Sequence, residues 1–222
     1  GVYVAVTFGG GGHSKDILSR LGEKGKLFAF DQDKDALVNA LEDDRFVLIN
    51  ENFRYIKRFL RFYGVRKVDG ILGDFGVSSH QFDVAERGFS TRFEAELDMR
   101  MNQDGALSAF HVVNDYDEMD LRRVLLQYGE LRNAPKLARA IVTARIEAPV
   151  KTSAMLKEVL RPFLVKHKEH KILAQIYQAI RIEVNQEIEV LKDFLLQTEE
   201  LLDKGGRTVS YTHLRAHETR TY

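Results

Sequence analysis

The feature that most constrains the fold is the alternation of strand-like and helix-like segments over the first 75 residues. Short β-branched and aromatic runs alternate with segments whose apolar residues recur at helical spacing. The predicted strands are residues 2–8, 26–30, 46–50 and 68–72, and the predicted helices are 14–21, 34–41 and 55–63. Because crossovers between parallel strands are right-handed, this order predicts an α/β fold with a doubly wound parallel sheet. Ligands of such folds bind at the carboxyl ends of the strands.

After Ser79 the alternation stops. The predicted segments are a charged loop region at 80–105, helices over 117–171 and a long helix over 172–202 that is interrupted at most near Asn185. Gly205 and Gly206 predict the end of that helix. We therefore expect a sheet-forming part at 1–102, an all-helical insertion at 103–171 and a return to the first part at 172–207.

The two ends of the chain look incomplete. Gly1 stands directly inside a strand-like run, which predicts further residues before it. After Gly206 the fold calls for another apolar strand, but residues 208–222 carry almost no core and are similar to a translated cloning adapter. We interpret 208–222 as a non-native tail. Its His213 and His217 have helical metal-ligand spacing, but without a further ligand we assign no metal site.

Composition excludes several classes of chemistry. The chain has no cysteine, which excludes disulfides, cysteine zinc sites and a cysteine nucleophile. No apolar run approaches the roughly 18 residues that span a bilayer, so we expect a cytoplasmic protein without a membrane partner.

The formal net charge of the chain is zero, but positive and negative side chains are unevenly distributed along it. Residues 120–171 hold 12 lysines and arginines against 5 acidic residues, whereas the remainder holds 21 against 28. A basic segment on an acidic body is typical of a domain that contacts phosphates. On charge alone, a solvated helical face explains the pattern equally well.

A four-glycine turn, Gly9 to Gly12, separates the first strand from the first helix. Glycine allows positive φ and close backbone approach to a ligand, and the amides at a helix start attract polar groups. Asp31 follows Gly11 by 20 residues, where an acidic side chain binds a ribose diol. This favours a nucleotide-containing cofactor over a structural turn, and leaves NAD and S-adenosylmethionine open.

Two further strand ends carry candidate residues. Phe53 could stack on an adenine, although a core role is the simpler interpretation of one phenylalanine. Asp74 leaves the fourth strand where a reacting group would meet the cofactor, and could accept hydrogen bonds from a substrate amine. The alternative is a capping aspartate, because Gly76 and Ser78 are turn formers.

Six motifs in order carry a specific resemblance. They are Thr-Phe-Gly-Gly-Gly-Gly-His-Ser (7–14), Phe-Asp-Gln-Asp (30–33), Asp-Gly-Ile-Leu-Gly-Asp-Phe-Gly-Val-Ser-Ser (69–79), Glu-Arg-Gly-Phe-Ser (86–90), Leu-Asp-Met-Arg-Met (97–101) and Gln-Ala-Ile-Arg-Ile-Glu-Val-Asn (178–185). From residue 1 to about 207 the chain resembles the RsmH (MraW) family. These bacterial methyltransferases act on the exocyclic N4 amine of a cytidine in small-subunit (16S) ribosomal RNA.

The resemblance implies a class I S-adenosylmethionine-dependent methyltransferase fold, a Rossmann-like parallel sheet with an inserted helical domain and a truncated C-terminus. It implies that S-adenosylmethionine is contacted by Gly11, Gly12, His13, Asp31, Phe53, Asp74 and Gln81. Segments 86–90 and 97–101 would shape the cytidine pocket. The basic insertion would bind ribosomal RNA, within the 30S subunit, and a homodimer is kept as an expectation.

Catalysis would be direct methyl transfer, since methylation at cytosine carbon 5 commonly needs a cysteine. Asp74 is the candidate for handling the amine proton. Asp98 and Arg100 are candidate catalytic residues of the pocket, and a salt bridge that fixes the loop is the equal alternative.

Two departures from the family keep rival functions open. The family carries an aspartate where this chain has Ala5, and it continues with a further strand and hairpin after Arg207. The rivals are a truncated relative that binds RNA without catalysis and an NAD-dependent oxidoreductase, for which no paired Tyr-Lys or His base is evident.

Overall fold

A computed structural model of the chain describes residues 1–212. In chain order the elements are β1 (Val2–Ala5), α1 (Gly12–Arg20), β2 (Lys26–Phe30), β3 (Phe46–Ile49), α2 (Ile56–Phe62), β4 (Val68–Phe75), α3 (Ser79–Asp83), α4 (Ala109–Asp115), α5 (Glu118–Gln127), α6 (Ala134–Glu147), α7 (Ser153–Leu160), α8 (Glu169–Val184), α9 (Glu187–Leu201) and β5 (Leu202–Thr212). Short 3-10 turns cover Lys34–Asn39, Phe53–Tyr55, Ala85–Arg87 and Arg161–Phe163. The chain forms two compact units.

The first unit comprises residues 1–78 and 187–212 and contains a parallel sheet. Its strand order is β3-β2-β1-β4-β5, which confirms the predicted doubly wound α/β architecture. In β1, Ala5 is paired with Ala29 on one side and Leu72 on the other. The carboxyl ends of these strands therefore meet at one edge, where the sequence predicts the ligand site.

Each face of the sheet buries a different apolar layer. One face buries an apolar cluster to which α1 contributes Leu18. The cluster also contains Ala5, Phe8, Leu27 and Ala36. On the opposite face of the sheet, aromatic side chains of β2 contact α2 and the residue that follows it. The ring centroids of Phe30 and Phe59 are 6.2 Å apart, and those of Phe28 and Tyr63 are 5.4 Å apart. Burial of these rings holds the helices to the sheet.

Within the described residues the second unit comprises 79–186 and is helical. The insertion predicted at 103–171 lies inside it, and its boundaries stay a prediction. Segment 84–105 belongs to this unit because it bonds to its helices. Leu97 N donates to Lys151 O at 3.0 Å, and Glu96 and Thr152 form an isolated antiparallel bridge. Leu97 and Met99 are buried. Sequence periodicity alone does not predict contacts of this kind between a loop and a distant segment.

Strand β5 includes residues 208–212, which the sequence assigns to a non-native tail. Residues 207–212 pair in parallel with residues 70–75 of β4. Val209 is 47% and Tyr211 55% exposed. Backbone hydrogen bonds to β4 make this strand, and they need no apolar side chain. Residues 213–222, with His213 and His217, lie outside the described part.

Smaller differences concern element ends. β1 ends at Ala5 rather than at residue 8, and a six-residue 3-10 turn capped by the Asp33 carboxylate replaces the predicted helix at 34–41. The predicted long helix is divided near Asn185, as expected, because Gln186 has a positive φ of 49°. Within residues 1–212, no helix is long and apolar enough to cross a membrane.

Candidate functional site

The glycine turn has the backbone geometry that the sequence predicts. Gly9 and Gly11 have positive φ values of 52° and 76°, and Gly11 caps α1 in the left-handed conformation. Within residues 1–212, no side chain caps this helix start, so its first backbone amides have no capping group. No atom of the described part lies within 4 Å of a Cβ placed at Gly10 or Gly12, so there is space beside both. This turn can accept a ligand close to its backbone.

Asp31 lies directly beside that turn. Its Oδ2 accepts a hydrogen bond from Gly9 N at 2.8 Å, and its Oδ1 accepts one from Asp33 N at 2.9 Å. Asn50 Nδ2 donates to Asp31 O at 2.9 Å and so braces the end of β2 against the end of β3. The carboxylate is held at the end of β2 by these backbone groups, beside the turn where a ribose contact is predicted. This contact remains a prediction.

Phe53 belongs to an aromatic cluster in the first unit. Its ring centroid lies 5.3 Å from that of Phe75 and 5.5 Å from that of Phe194. Phe194 and Phe75 are buried, whereas Phe53 is half-buried. The packing supports a core role for at least one side of the ring, and stacking on an adenine remains a prediction.

Asp74 stands near the end of β4, in the same unit. Its backbone N donates to Thr7 Oγ1 at 2.8 Å, which ties the strand end to the segment before the glycine turn. Its Oδ1 is inaccessible to solvent. Thr7 is a residue that the sequence analysis quoted in a motif without giving it a role, although its place before four glycines was a signal.

His13 is exposed in the first turn of α1, while Gln81 is 6% exposed in α3 of the second unit. The predicted cofactor residues are thus divided between the units: Gly11, Gly12, His13, Asp31, Phe53 and Asp74 belong to the first, and Gln81 to the second. The contacts of His13 and Gln81 with a cofactor remain predictions.

The two segments predicted to form a substrate pocket meet inside the second unit. Arg87 is buried, and its Nη2 donates to Arg100 O at 2.9 Å. Met99 N donates to Arg87 O at 3.1 Å. At Gly88, with φ of 71°, a Cβ would lie 2.6 Å from Glu96 O, so the close approach of the two segments requires glycine.

Asp98 and Arg100 form a bidentate ion pair within this loop. Arg100 Nε and Nη2 donate to the carboxylate at 2.9 and 2.7 Å, and Arg100 Nη1 donates to Gly105 O at 2.9 Å. Burial alone would raise the pKa of Asp98, but hydrogen bonds from Arg100 outweigh it and lower the pKa below its ordinary value. The arrangement favours the loop-fixing interpretation, and a catalytic role of either residue remains a prediction.

Asn185, which the sequence marks only as an interruption of the long helix, also organises this loop. Its Oδ1 accepts from Met101 N at 2.7 Å, and its Nδ2 donates to Met99 O at 2.8 Å and Arg181 O at 2.9 Å. It therefore joins the motif at 97–101 to the motif at 178–185. Its position at the end of a motif was the available signal, but Met99 and Met101 are more than 80 residues away.

A cavity of about 180 Å³ in the second unit is lined by Arg92, Phe93, Ser153, Lys157 and Tyr177 among others. Ligand pockets typically measure roughly 300–1,000 Å³. This cavity is too small to be assigned as the nucleotide site.

Ala5 is 2% exposed and lies in the apolar cluster with Phe8 and Leu18. The position that is acidic in the resembling family is thus part of the hydrophobic core here. The consequence for cofactor affinity remains a prediction.

Comparison with known proteins identifies the family. A model of the MraW methylase family matches residues 1–218, which gives no support to the interpretation of the tail as foreign. Ribosomal RNA small subunit methyltransferase H of Christiangramia forsetii is 67% identical, over 100% of this chain and 74% of that protein. Proteins of the same name are 68% identical in Flavobacterium johnsoniae, over 96% of this chain and 72% of the relative, and 53% identical in Phocaeicola vulgatus, over 96% and 70%. With its parallel sheet, glycine turn and family match, the chain is a class I methyltransferase that belongs to the MraW methylase family.

Proposed function

We propose that this protein transfers a methyl group from S-adenosylmethionine to the exocyclic N4 amine of a cytidine in small-subunit ribosomal RNA. The observation that carries the proposal is the hydrogen bond between Gly9 N and the Asp31 carboxylate, which joins two nucleotide-binding features at one strand edge. Relatives named ribosomal RNA small subunit methyltransferase H support the choice of substrate.

The first unit fits the cofactor by its backbone. Gly11 and Gly12 would present amides with open space beside Gly12, and Asp31 would accept hydrogen bonds from the ribose hydroxyls. His13 and Phe53 are the neighbouring candidates in this unit, and Gln81 is the candidate in the second unit. Bound S-adenosylmethionine supplies a methyl group activated by its sulfonium.

Asp74 is the proposed acceptor for the amine hydrogens. A carboxylate that accepts an N–H orients the nitrogen lone pair and can take the proton that is lost on methylation. An amine needs no covalent activation, which agrees with the absence of cysteine. The target base would have to leave its stack, as chemistry on base atoms generally requires. Asp98 and Arg100 would act on the substrate through the loop that their ion pair holds.

The second unit is the proposed main contact for RNA. Phosphate contacts from its basic helices would supply affinity and position without reading sequence. We expect the 30S subunit to be the natural form of the substrate, which places the reaction in the cytoplasm. A homodimer is a further expectation.

Calorimetric titration with S-adenosylhomocysteine tests the cofactor site. We expect micromolar binding that Asp31→Ala abolishes and Asp31→Asn weakens, because the amide keeps one acceptor for the loop amides. Asp16→Ala removes an exposed acid from α1 and is the matched control. A folded chain that binds RNA but no S-adenosylhomocysteine would instead identify a non-catalytic RNA-binding relative.

Transfer of a labelled methyl group to small-subunit RNA tests Asp74. We expect Asp74→Ala to reduce the rate by at least the 10²-fold typical of a lost acid-base group, with the affinity for S-adenosylhomocysteine changed less. Methylation by Asp74→Ala at the wild-type rate would remove Asp74 from the mechanism.

A further inference from the structure

The first unit carries a basic and aromatic surface that the sequence analysis did not assign. Residues 54–67 contain six lysines and arginines, four aromatic residues and no acidic residue. The basic segment recognised from composition lies elsewhere, at 120–171. Segment 54–67 includes α2 and the turn before β4.

Helical spacing divides this segment into a packed face and an open face. Ile56 and Leu60 are fully buried. Arg54 and Lys57 form ion pairs with Asp193 and Glu200 of α9, so these two cations are neutralised within the unit. They stabilise the attachment of α2 and are not part of the open face.

The open face consists of Arg58, Arg61, Phe62 and Arg66, which we call the α2 surface. Arg58, Arg61 and Phe62 are related by three and four residues and are therefore neighbours on the helix. Phe62 is 81% exposed, and its ring meets the half-exposed ring of Tyr63 edge-on at 5.2 Å. Within residues 1–212, neither Arg58 nor Arg66 forms an ion pair.

Glu200 is the acid near this surface, and Lys57 is its ion-pair partner. A hydrogen bond from Lys57 lowers the pKa of Glu200, and the charges of Arg61 and Lys67 lower it further. Arg58 and Arg66 take no part in this pair.

Exposed arginines around an exposed aromatic ring match the chemistry of single-stranded RNA. Guanidinium groups donate paired hydrogen bonds to phosphate, and aromatic rings stack on unpaired bases. A lipid surface fits less well, because one phenylalanine and the edge of one tyrosine offer little apolar area for insertion. The arginines therefore favour a polyanionic partner, and the exposed ring favours one with unpaired bases.

We propose that the α2 surface is a second RNA-binding site, which holds an unpaired stretch of the substrate RNA against the methyltransferase core. The proposal rests on the proposed function for its partner and adds a contact outside the basic helices at 120–171. From Arg58 to Phe62 the helix rises about 6 Å, so the site extends along α2 toward Arg66 in the turn before β4.

The test is RNA affinity measured by fluorescence anisotropy with a short single-stranded RNA at several salt concentrations. We expect the triple variant Arg58→Ala, Arg61→Ala, Phe62→Ala to bind at least tenfold more weakly. Two lost phosphate contacts should lower the slope of log affinity against log salt by about 1.4. Phe62→Ala alone should weaken binding about fivefold to tenfold without changing that slope, because stacking releases no counterions.

A matched control removes the same number of side chains from elsewhere in the first unit. Arg20, Lys24 and Val38 are exposed, and their triple alanine variant should bind RNA as the wild type does. Titration with S-adenosylhomocysteine and thermal melting should give wild-type values for both variants. Single Arg58→Glu provides a further variant if the triple variant does not fold.

Unchanged RNA affinity in a folded α2 variant would overturn the proposal. Binding to phosphatidylserine vesicles in preference to RNA would also overturn it. The same holds if the wild type is a dimer and the α2 variant is a monomer. If wild type binds no RNA, the α2 surface is rejected, and S-adenosylhomocysteine binding then decides separately whether the methyltransferase proposal stands.

Discussion

The two units place their functional groups by different physical means. In the first unit, backbone geometry does so: positive φ at Gly9 and Gly11, and strand ends that bring Asp31 and Asp74 to one edge. In the second unit, buried side chains hold the loops: Arg87 bonds to backbone carbonyls, and Asn185 bonds to both sides of Met99–Met101. The conformation of a backbone-built site should survive most side-chain changes, whereas a loop held by side chains should lose its conformation when one polar group is removed.

Gly88→Ala should have the largest effect on stability. The new Cβ would lie 2.6 Å from Glu96 O, a backbone atom, at a residue with φ of 71°. We expect a loss of about 3 kcal/mol or more, measured by urea denaturation. Gly64→Ala is the control, with φ of 75° and nothing within 4 Å of its Cβ, and should cost only about 1 kcal/mol. Equal losses would show that the tight approach to Glu96 is not important.

Asn185→Ala should come next. The change leaves Met101 N and Met99 O without their side-chain partner in a half-buried loop, which should destabilise the protein by about 2–3 kcal/mol. Asn102→Ala removes an exposed asparagine whose side chain accepts only from Asp104 N, and should cost less than about 1 kcal/mol. Similar denaturation midpoints for the two variants would argue against the side-chain-built description of this unit.

Gly12→Ala should separate binding from stability in the first unit. Alanine suits a helix start with open space around it, so the melting temperature should not fall. If the cofactor lies against the loop backbone, the added methyl group should weaken S-adenosylhomocysteine binding about tenfold or more. Calorimetry that finds unchanged affinity would place the cofactor away from Gly12.

Ala5→Asp sets the family pattern against the observed core. A carboxylate among Phe8 and Leu18 is costly to bury, so we expect the unliganded protein to lose about 1–3 kcal/mol. If the family role applies, S-adenosylhomocysteine should bind more tightly and recover part of that loss. Melting curves with and without the ligand distinguish the loss of stability from the gain in affinity. A variant that is destabilised without any gain in affinity would show that Ala5 has a core role and that an aspartate there does not bind the cofactor.

Asp98→Asn should give the smallest effect, in the pH dependence of stability. Because Arg100 lowers the pKa of Asp98 in the folded state, the pair contributes stability above the ordinary aspartate pKa of 3.8. That contribution is lost as the pH falls through the lowered pKa. Wild type should therefore lose more stability on acidification than Asp98→Asn, by less than about 1 kcal/mol. Parallel curves of melting temperature against pH would contradict this role.

Local sequence was sufficient for the features that depend on local geometry. The alternation of strands and helices predicted the parallel sheet. The glycine turn and Asp31 were both picked out from the sequence, and a hydrogen bond from Gly9 N joins them in the structure. It was also sufficient for the break near Asn185, since the polar pair Asn185-Gln186 interrupts an apolar pattern. The interpretation of 208–222 as a tail outside the fold relied on side-chain hydropathy and missed residues 208–212 of β5, which backbone pairing with β4 forms.

The sequence by itself determined the doubly wound sheet, the glycine turn and the family, because each depends on patterns or motifs of residues close together along the chain. Only the tertiary structure decided that segment 84–105 joins the helical unit and that Asn185 ties two distant motifs. It also decided which side of α2 remains open, because α9 neutralises Arg54 and Lys57 and leaves Arg58 and Phe62 exposed. These features depend on contacts across long sequence separations, and the energies of such contacts are set by burial and partner geometry that periodicity does not encode.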